Sequence, residues 1–106
     1  MKNEFLNSTD ISRILGVTPP TIIKLINEGR IKSSKVFERN RRVDPEDLII
    51  YLKNLGNDKR AMAKFKMDIY KFLYSKYGNM EYLKESNKQA ALYEKYSEER
   101  KRLLRK

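Results

Sequence analysis

The chain of 106 residues contains no cysteine and no histidine. The first absence excludes a disulfide framework and thiol nucleophiles, and the two together exclude imidazole bases, zinc fingers and most transition-metal sites. No run approaches the roughly 20 apolar residues of a membrane span, and the opening MKNEFLNSTD lacks the apolar core of a signal peptide, so a cytoplasmic protein is expected. Glycine is sparse as well, at four residues, and none builds a phosphate-cradling loop. Acidic residues are outnumbered, 14 against 24 basic, giving a formal net charge of +10. That excess points to an acidic partner, nucleic acid first, although ribosomal proteins and membrane-surface peptides are also this basic. The nearest approaches to paired carboxylates are Asp44 with Asp47, explained by helix capping, and Glu98 with Glu99, in a polar stretch. Neither an enzyme, a cofactor, a metal nor a small-molecule ligand is expected.

What is present is organised around residues 7–29, two short helices joined by a tight turn. Asn7 is a cap, Asp10 three residues on closes a capping box, and Leu6 can pack on Ile11. The device repeats with Thr18 as cap, Pro19 at the first helical position and Val17 against Ile22. Gly16 makes the turn between the helices and Gly29 ends the second. The spacing of apolar residues buries Ile11, Ile14 and Leu15 in a helix over 8–15, with Ser12 small enough to admit a close neighbour, and Ile22, Leu25 and Ile26 in a helix over 19–28. Pro20, Thr21, Ile23, Lys24 and Asn27 are left pointing outward. These are the parts of a helix-turn-helix.

Residues 30–43 lose the helical period. Ile31, Val36, Phe37 and Val43 are β-formers, residues 38–41 suit a turn, and six of the fourteen are Lys or Arg against one Glu. A basic two-stranded hairpin, a wing, is expected. A third helix opens with cap Asp44, Pro45, Asp47 closing the box and Val43 stapled to Leu48, and it buries Leu48, Tyr51, Leu52 and Leu55 before Gly56. Beyond Asn57 two helical stretches follow, 58–77 and 80–104, broken at Gly78 and Asn79. Met62, Phe65, Ile69 and Phe72 step by three and four in the first, with Leu73 and Tyr77 widening the stripe. Tyr82, Leu83, Ala90, Tyr93, Tyr96, Leu103 and Leu104 recur near a seven-residue spacing in the second, a weak coiled-coil pattern. The fold class expected is mainly α with a small β-hairpin wing: a winged helix-turn-helix domain over 1–55 and a two-helix, coiled-coil-like extension over 58–106.

The order helix, turn, helix, basic hairpin, helix resembles the winged helix-turn-helix of the MerR superfamily, and more closely its excisionase-type domain. The resemblance covers residues 6–52 and rests on Leu15, Gly16, Val17 and Thr18 leading into residues 21–31, then Val36, Arg41, Arg42 and Val43, then Pro45, Glu46, Asp47 and Leu48. It departs where excisionases often carry a glycine and an aromatic in the wing, since this chain has Glu38, Asn40 and Arg41 there, and in the fifty residues of helix that follow. The resemblance implies that the second helix enters the major groove of double-stranded DNA while the wing reaches the adjacent backbone or minor groove.

Residue chemistry agrees with that placement. The amides and hydroxyls of Thr18 to Thr21 suit a phosphate, although Pro19 and Pro20 remove two amides. Pro20 and Ile23 present apolar surface, Ile23 to a thymine methyl, and Lys24 reaches guanine acceptors or a phosphate. Lys35, Arg39, Arg41 and Arg42 supply the wing's charge, the tip arginines suiting a narrow minor groove. Met62, Phe65, Ile69, Phe72 and Leu73 are the expected oligomerisation face of a homodimer or higher assembly. A small regulator or excisionase-like accessory protein, a partition protein binding repeats, and the small terminase subunit of a phage, all in a bacterial, phage or plasmid setting, stay open as roles. So does an adaptor that binds protein through its C-terminal helices.

Overall fold

A computed structural model describes residues 4–37 and 40–104, the side chains of residues 35–41 excepted. Its elements run α1 (Ser8–Leu15), α2 (Pro19–Asn27), β1 (Ser34–Phe37), β2 (Asn40–Arg42), α3 (Pro45–Asn54), α4 (Lys59–Tyr77) and α5 (Met80–Leu104). The chain divides into two compact units, Met1–Tyr51 and Leu52–Lys106, with the division inside α3.

In the first unit, α1 begins at a complete capping box. The Asn7 side-chain oxygen accepts from the Asp10 amide at 2.8 Å, and an Asp10 carboxylate oxygen accepts from the Asn7 amide at 3.0 Å. This satisfies two donors that a helix start otherwise leaves unpaired. Gly16 ends the helix in the left-handed conformation, φ 69°, which a side chain disfavours, and its amide bonds the Ser12 carbonyl. That turn sets α2 against α1. Ser12 is buried there, its hydroxyl donating to the Thr9 carbonyl at 2.7 Å.

The core of this unit consists of Leu6, Ile11, Ile22, Ile26, Ile31, Val43, Leu48 and Ile49. Leu6 and Val43 also pair through the backbone: each amide donates to the other's carbonyl, at 2.9 and 2.8 Å. This antiparallel bridge ties the approach to α1 to the approach to α3, 37 residues apart, and buries both side chains where they are pinned. Ile14 and Leu15 are half-buried, as is Leu25, so these edges of the expected faces meet solvent.

The expected fold class needs correcting in its β part. The described residues are organised as five helices, and extended backbone amounts to a ribbon of four and three residues. Ser34 pairs with Arg42, Lys35 with Arg41 and Phe37 with Asn40, the register shifting between Lys35 and Phe37. Residues 30–33, assigned to the wing from their composition, carry no strand, and the tip at 38–39 lies outside the described residues. A bulged ribbon this short has little stability of its own and does not make a wing. The β-formers Ile31 and Val43 serve the helical core instead. The class is helical.

Asp44 caps α3, its carboxylate accepting from the Glu46 amide at 2.9 Å. Leu48, Ile49 and Leu52 are its buried residues, whereas Tyr51 is half-buried and Leu55, expected inside, is 57% exposed because the helix has ended at Asn54.

The second unit is an antiparallel helical hairpin. Asp58 caps α4 through the Ala61 amide at 2.8 Å, Gly78 closes it at φ 72°, and Asn79 accepts from the Glu81 amide to start α5. Met62, Ala63, Ile69 and Leu73 are buried, while Phe65 and Phe72 are half-buried and Tyr77 is exposed. The stripe is therefore narrower than its apolar residues suggest. On α5 the buried residues are polar, Ser86 and Gln89, and the expected apolar repeat is half-buried at best, with Leu103 and Leu104 fully at the surface. Ser86 explains itself: its hydroxyl donates to the Met67 carbonyl at 3.1 Å, so a small side chain lets the helices approach without an unpaired group. Further along, Arg60 donates from Nε to the Ser97 hydroxyl at 2.9 Å and from Nη2 to the Tyr93 hydroxyl at 3.1 Å, with the Tyr93 ring 4.9 Å away. Lys59 meets Glu99 at 3.3 Å and lies over the Tyr96 ring, and near the turn Tyr70 stacks on Tyr82. The two expected helices thus pair with each other as an intramolecular hairpin, with apolar buried residues on α4 and polar ones on α5.

Urea unfolding checks this packing. Ile69→Ala removes a fully buried side chain and is expected to cost about 2–5 kcal/mol, whereas Leu55→Ala, at a surface position, should change stability by less than about 0.5 kcal/mol.

Candidate nucleic-acid interface

Helix α2 carries six apolar residues in nine, and the turn of 100° per residue divides them cleanly. Ile22 and Ile26 go inward; Pro20, Lys24 and Asn27 fall in one outer row, flanked by Thr21 on one side and Ile23 on the other. Ile23 is 38% exposed, an apolar side chain held out beside a cation. None of the described residues makes an ion pair with Lys24, and α2 contains no acidic residue. The outer row is thus a narrow surface offering one positive charge, hydroxyls and branched or ring hydrocarbon together.

The start of α2 differs from expectation. Thr18 makes no side-chain cap bond; its hydroxyl lies 2.9 Å from that of Thr21 instead. The Thr21 amide donates to the Thr18 carbonyl at 3.1 Å and the Ile22 amide to the same carbonyl at 3.4 Å. Pro19 and Pro20 have no amide to give. Of the amides expected to hold a phosphate, two are therefore missing and that of Thr21 is spent, so an anion here would meet chiefly the paired hydroxyls. Val17, expected to staple onto Ile22, stays 41% exposed.

The other sequence-predicted contacts separate by position. Arg42 is exposed, with its guanidinium carbon 5.8 Å from the centroid of the Phe5 ring, a contact over which the cation is held by the ring's negative face. Sequence reasoning missed Phe5, since nothing local marks a pair so far apart in the chain. The side chains of Lys35 and Arg41 and the whole of Arg39 lie outside what is described. Arg13, in the last turn of α1, is a further exposed cation of this unit that helix periodicity alone did not single out. Of the five residues expected to form an oligomerisation face, Met62, Ile69 and Leu73 are buried within the single chain and Phe65 and Phe72 are half-buried. The apolar surface that called for a second copy is mostly covered by α4 and α5 packing on each other.

The geometry of α1, its glycine turn and α2 can be compared with known families. Residues 5–56 match the sequence profile of the family described as "Helix-turn-helix domain". Over this segment, 52 of the 106 residues, the chain is similar to that family. The match begins one residue before Leu6 and ends at Gly56, so it takes in the backbone bridge and α3 and stops before the C-terminal hairpin. No curated protein and no solved structure matches the chain. The family is one of DNA-binding domains, which makes the outer row of α2 the first surface to test. Among the described residues, no helix is long and apolar enough to cross a membrane.

The two helix starts predict different responses to truncation. Asn7→Ala breaks a reciprocal cap and should cost about 1 kcal/mol, while Thr18→Ala, which removes no backbone bond, should cost only a few tenths of that value. Thermal unfolding of the two variants checks the difference.

Proposed function

We propose that the protein binds double-stranded DNA in a sequence-selective manner, through α2 laid in the major groove, and acts by binding instead of catalysis. The observation that supports this most is the composition of the outer row of α2 within a helix-turn-helix domain: Thr21, Ile23 and Lys24 stand outward together on a helix that carries no acidic residue. Lys24 supplies a donor for guanine O6 or N7, or for a phosphate. Ile23, with Pro20 across the row, supplies apolar contact for thymine methyl groups. The hydroxyl pair Thr18 and Thr21 takes the phosphate at the groove edge in place of helix amides. Arg42, steadied by Phe5, adds a backbone contact.

Within this reading the domain is grouped with the excisionase-type members of the MerR superfamily, and the role proposed is a small site-specific regulator or an excisionase-like accessory protein. Partition of a plasmid is the neighbouring role; it needs the same contacts made repeatedly on an array of sites.

Selection of duplexes from a randomised pool, followed by anisotropy titration at two salt concentrations, tests the proposal. The full chain should enrich a motif and prefer it over random duplex at both salts. Lys24→Ala should weaken binding to the enriched duplex about tenfold, or about 1.4 kcal/mol, with a smaller loss on random DNA, and Ile23→Ala should relax selection at a thymine. Failure to enrich any motif would sink sequence selectivity. Equal losses on both duplexes for Lys24→Ala would place that side chain on the backbone.

A further inference from the structure

The DNA-binding reading accounts for the first unit, but the larger share of the charge lies beyond it. Residues 55–106 carry 14 basic and 7 acidic side chains, a net +7, against +3 from 10 and 7 in residues 1–54. Helix α5 shows how part of this charge is arranged. At 100° per residue, Lys88, Lys95 and Arg102, seven residues apart, lie within about 40° of one another in a row about 21 Å long at 1.5 Å per residue. All three are exposed, and Ala91, in the same stretch, keeps the row open. The opposite side of α5 is taken by Arg60 of α4, which reaches Tyr93 and Ser97.

Three of the five glutamates of α5 are paired with other cations. Glu81 meets Lys84 at 3.7 Å, Glu98 meets Lys101 at 3.7 Å, and Glu99 meets Lys59 at 3.3 Å. None of the described residues forms an ion pair with Lys88, Lys95 or Arg102. A helix with five glutamates has the means to neutralise such a row, and aligned like charges are mildly unfavourable on an isolated helix. The three cations instead stand without a direct ion pair among the described residues, at steps of about 10 Å, a spacing that long side chains can fit to the phosphates flanking a groove about 12 Å wide.

We propose that Lys88, Lys95 and Arg102 form a second contact with DNA, to the phosphate backbone and without regard to sequence. This rests on the DNA-binding reading above. Phosphate contacts release condensed counterions, so each one adds about 0.9 to the slope of log K against log salt on B-form duplex. The full chain is titrated on a random duplex of fixed length over a range of salt concentrations, beside the triple variant Lys88→Ala, Lys95→Ala, Arg102→Ala. A second triple, Lys64→Ala, Lys71→Ala, Lys76→Ala on α4, removes the same charge away from the row. The row variant should lose about 2–3 units of slope, the α4 variant less than about one, and glutamine in place of alanine along the row should give the same loss. A row variant that keeps the wild-type slope, or two triples that fall equally, overturns the second contact while leaving DNA binding by α2 intact. A wild-type chain that binds no duplex at low salt overturns the DNA-binding reading itself.

Discussion

The helix-turn-helix depends on one backbone pairing more than on any side chain. Leu6 and Val43 exchange two hydrogen bonds, and each is fully buried at the place where the chain enters a helix: Leu6 before the cap of α1, Val43 before the cap of α3. With those two entries held side by side, Ile11 and Leu48 are delivered into the same core as Ile22 and Ile26. A turn at Gly16 then suffices to place α2 against α1 with its outer row toward solvent. The bridge adds directional hydrogen bonds to apolar contacts that are themselves not directional.

Much of this was legible in the residues. The helix boundaries follow from caps, prolines and glycines, and the expected spans for α1 through α5 differ from the observed ones by a residue or less at each end. Such signals are local: an Asn, Ser or Asp oxygen competes for the first free amides, and a glycine takes the left-handed turn that follows. The outward row of α2 was legible for the same reason, as a remainder once Ile22 and Ile26 are assigned to the core.

What was not legible depends on partners far along the chain. The Leu6 and Val43 pairing has no local mark, and neither does the contact of Phe5 with Arg42. The basic, β-rich stretch 30–43 looked like a wing because composition records propensity and charge, whereas Ile31 and Val43 are drawn into the helical core and leave little to pair. Helix α5 misled in the opposite direction. Its apolar repeat suggested a seam, yet Ser86 and Gln89 are the buried residues, and the Ser86 hydroxyl finds a carbonyl there while being smaller than a leucine. Leu103 and Leu104 fit the repeat and face water.

The start of α2 has a consequence in solvation. A helix N-terminus usually holds water on its unpaired amides, and a ligand that arrives must either replace those hydrogen bonds or leave them broken. Here two of the amides do not exist, the next two are satisfied by the Thr18 carbonyl, and the Thr18 and Thr21 hydroxyls are turned to each other. Hydration at this end therefore rests more on the exposed threonine hydroxyls than on helix amides, and a surface that covers it has fewer backbone donors to satisfy.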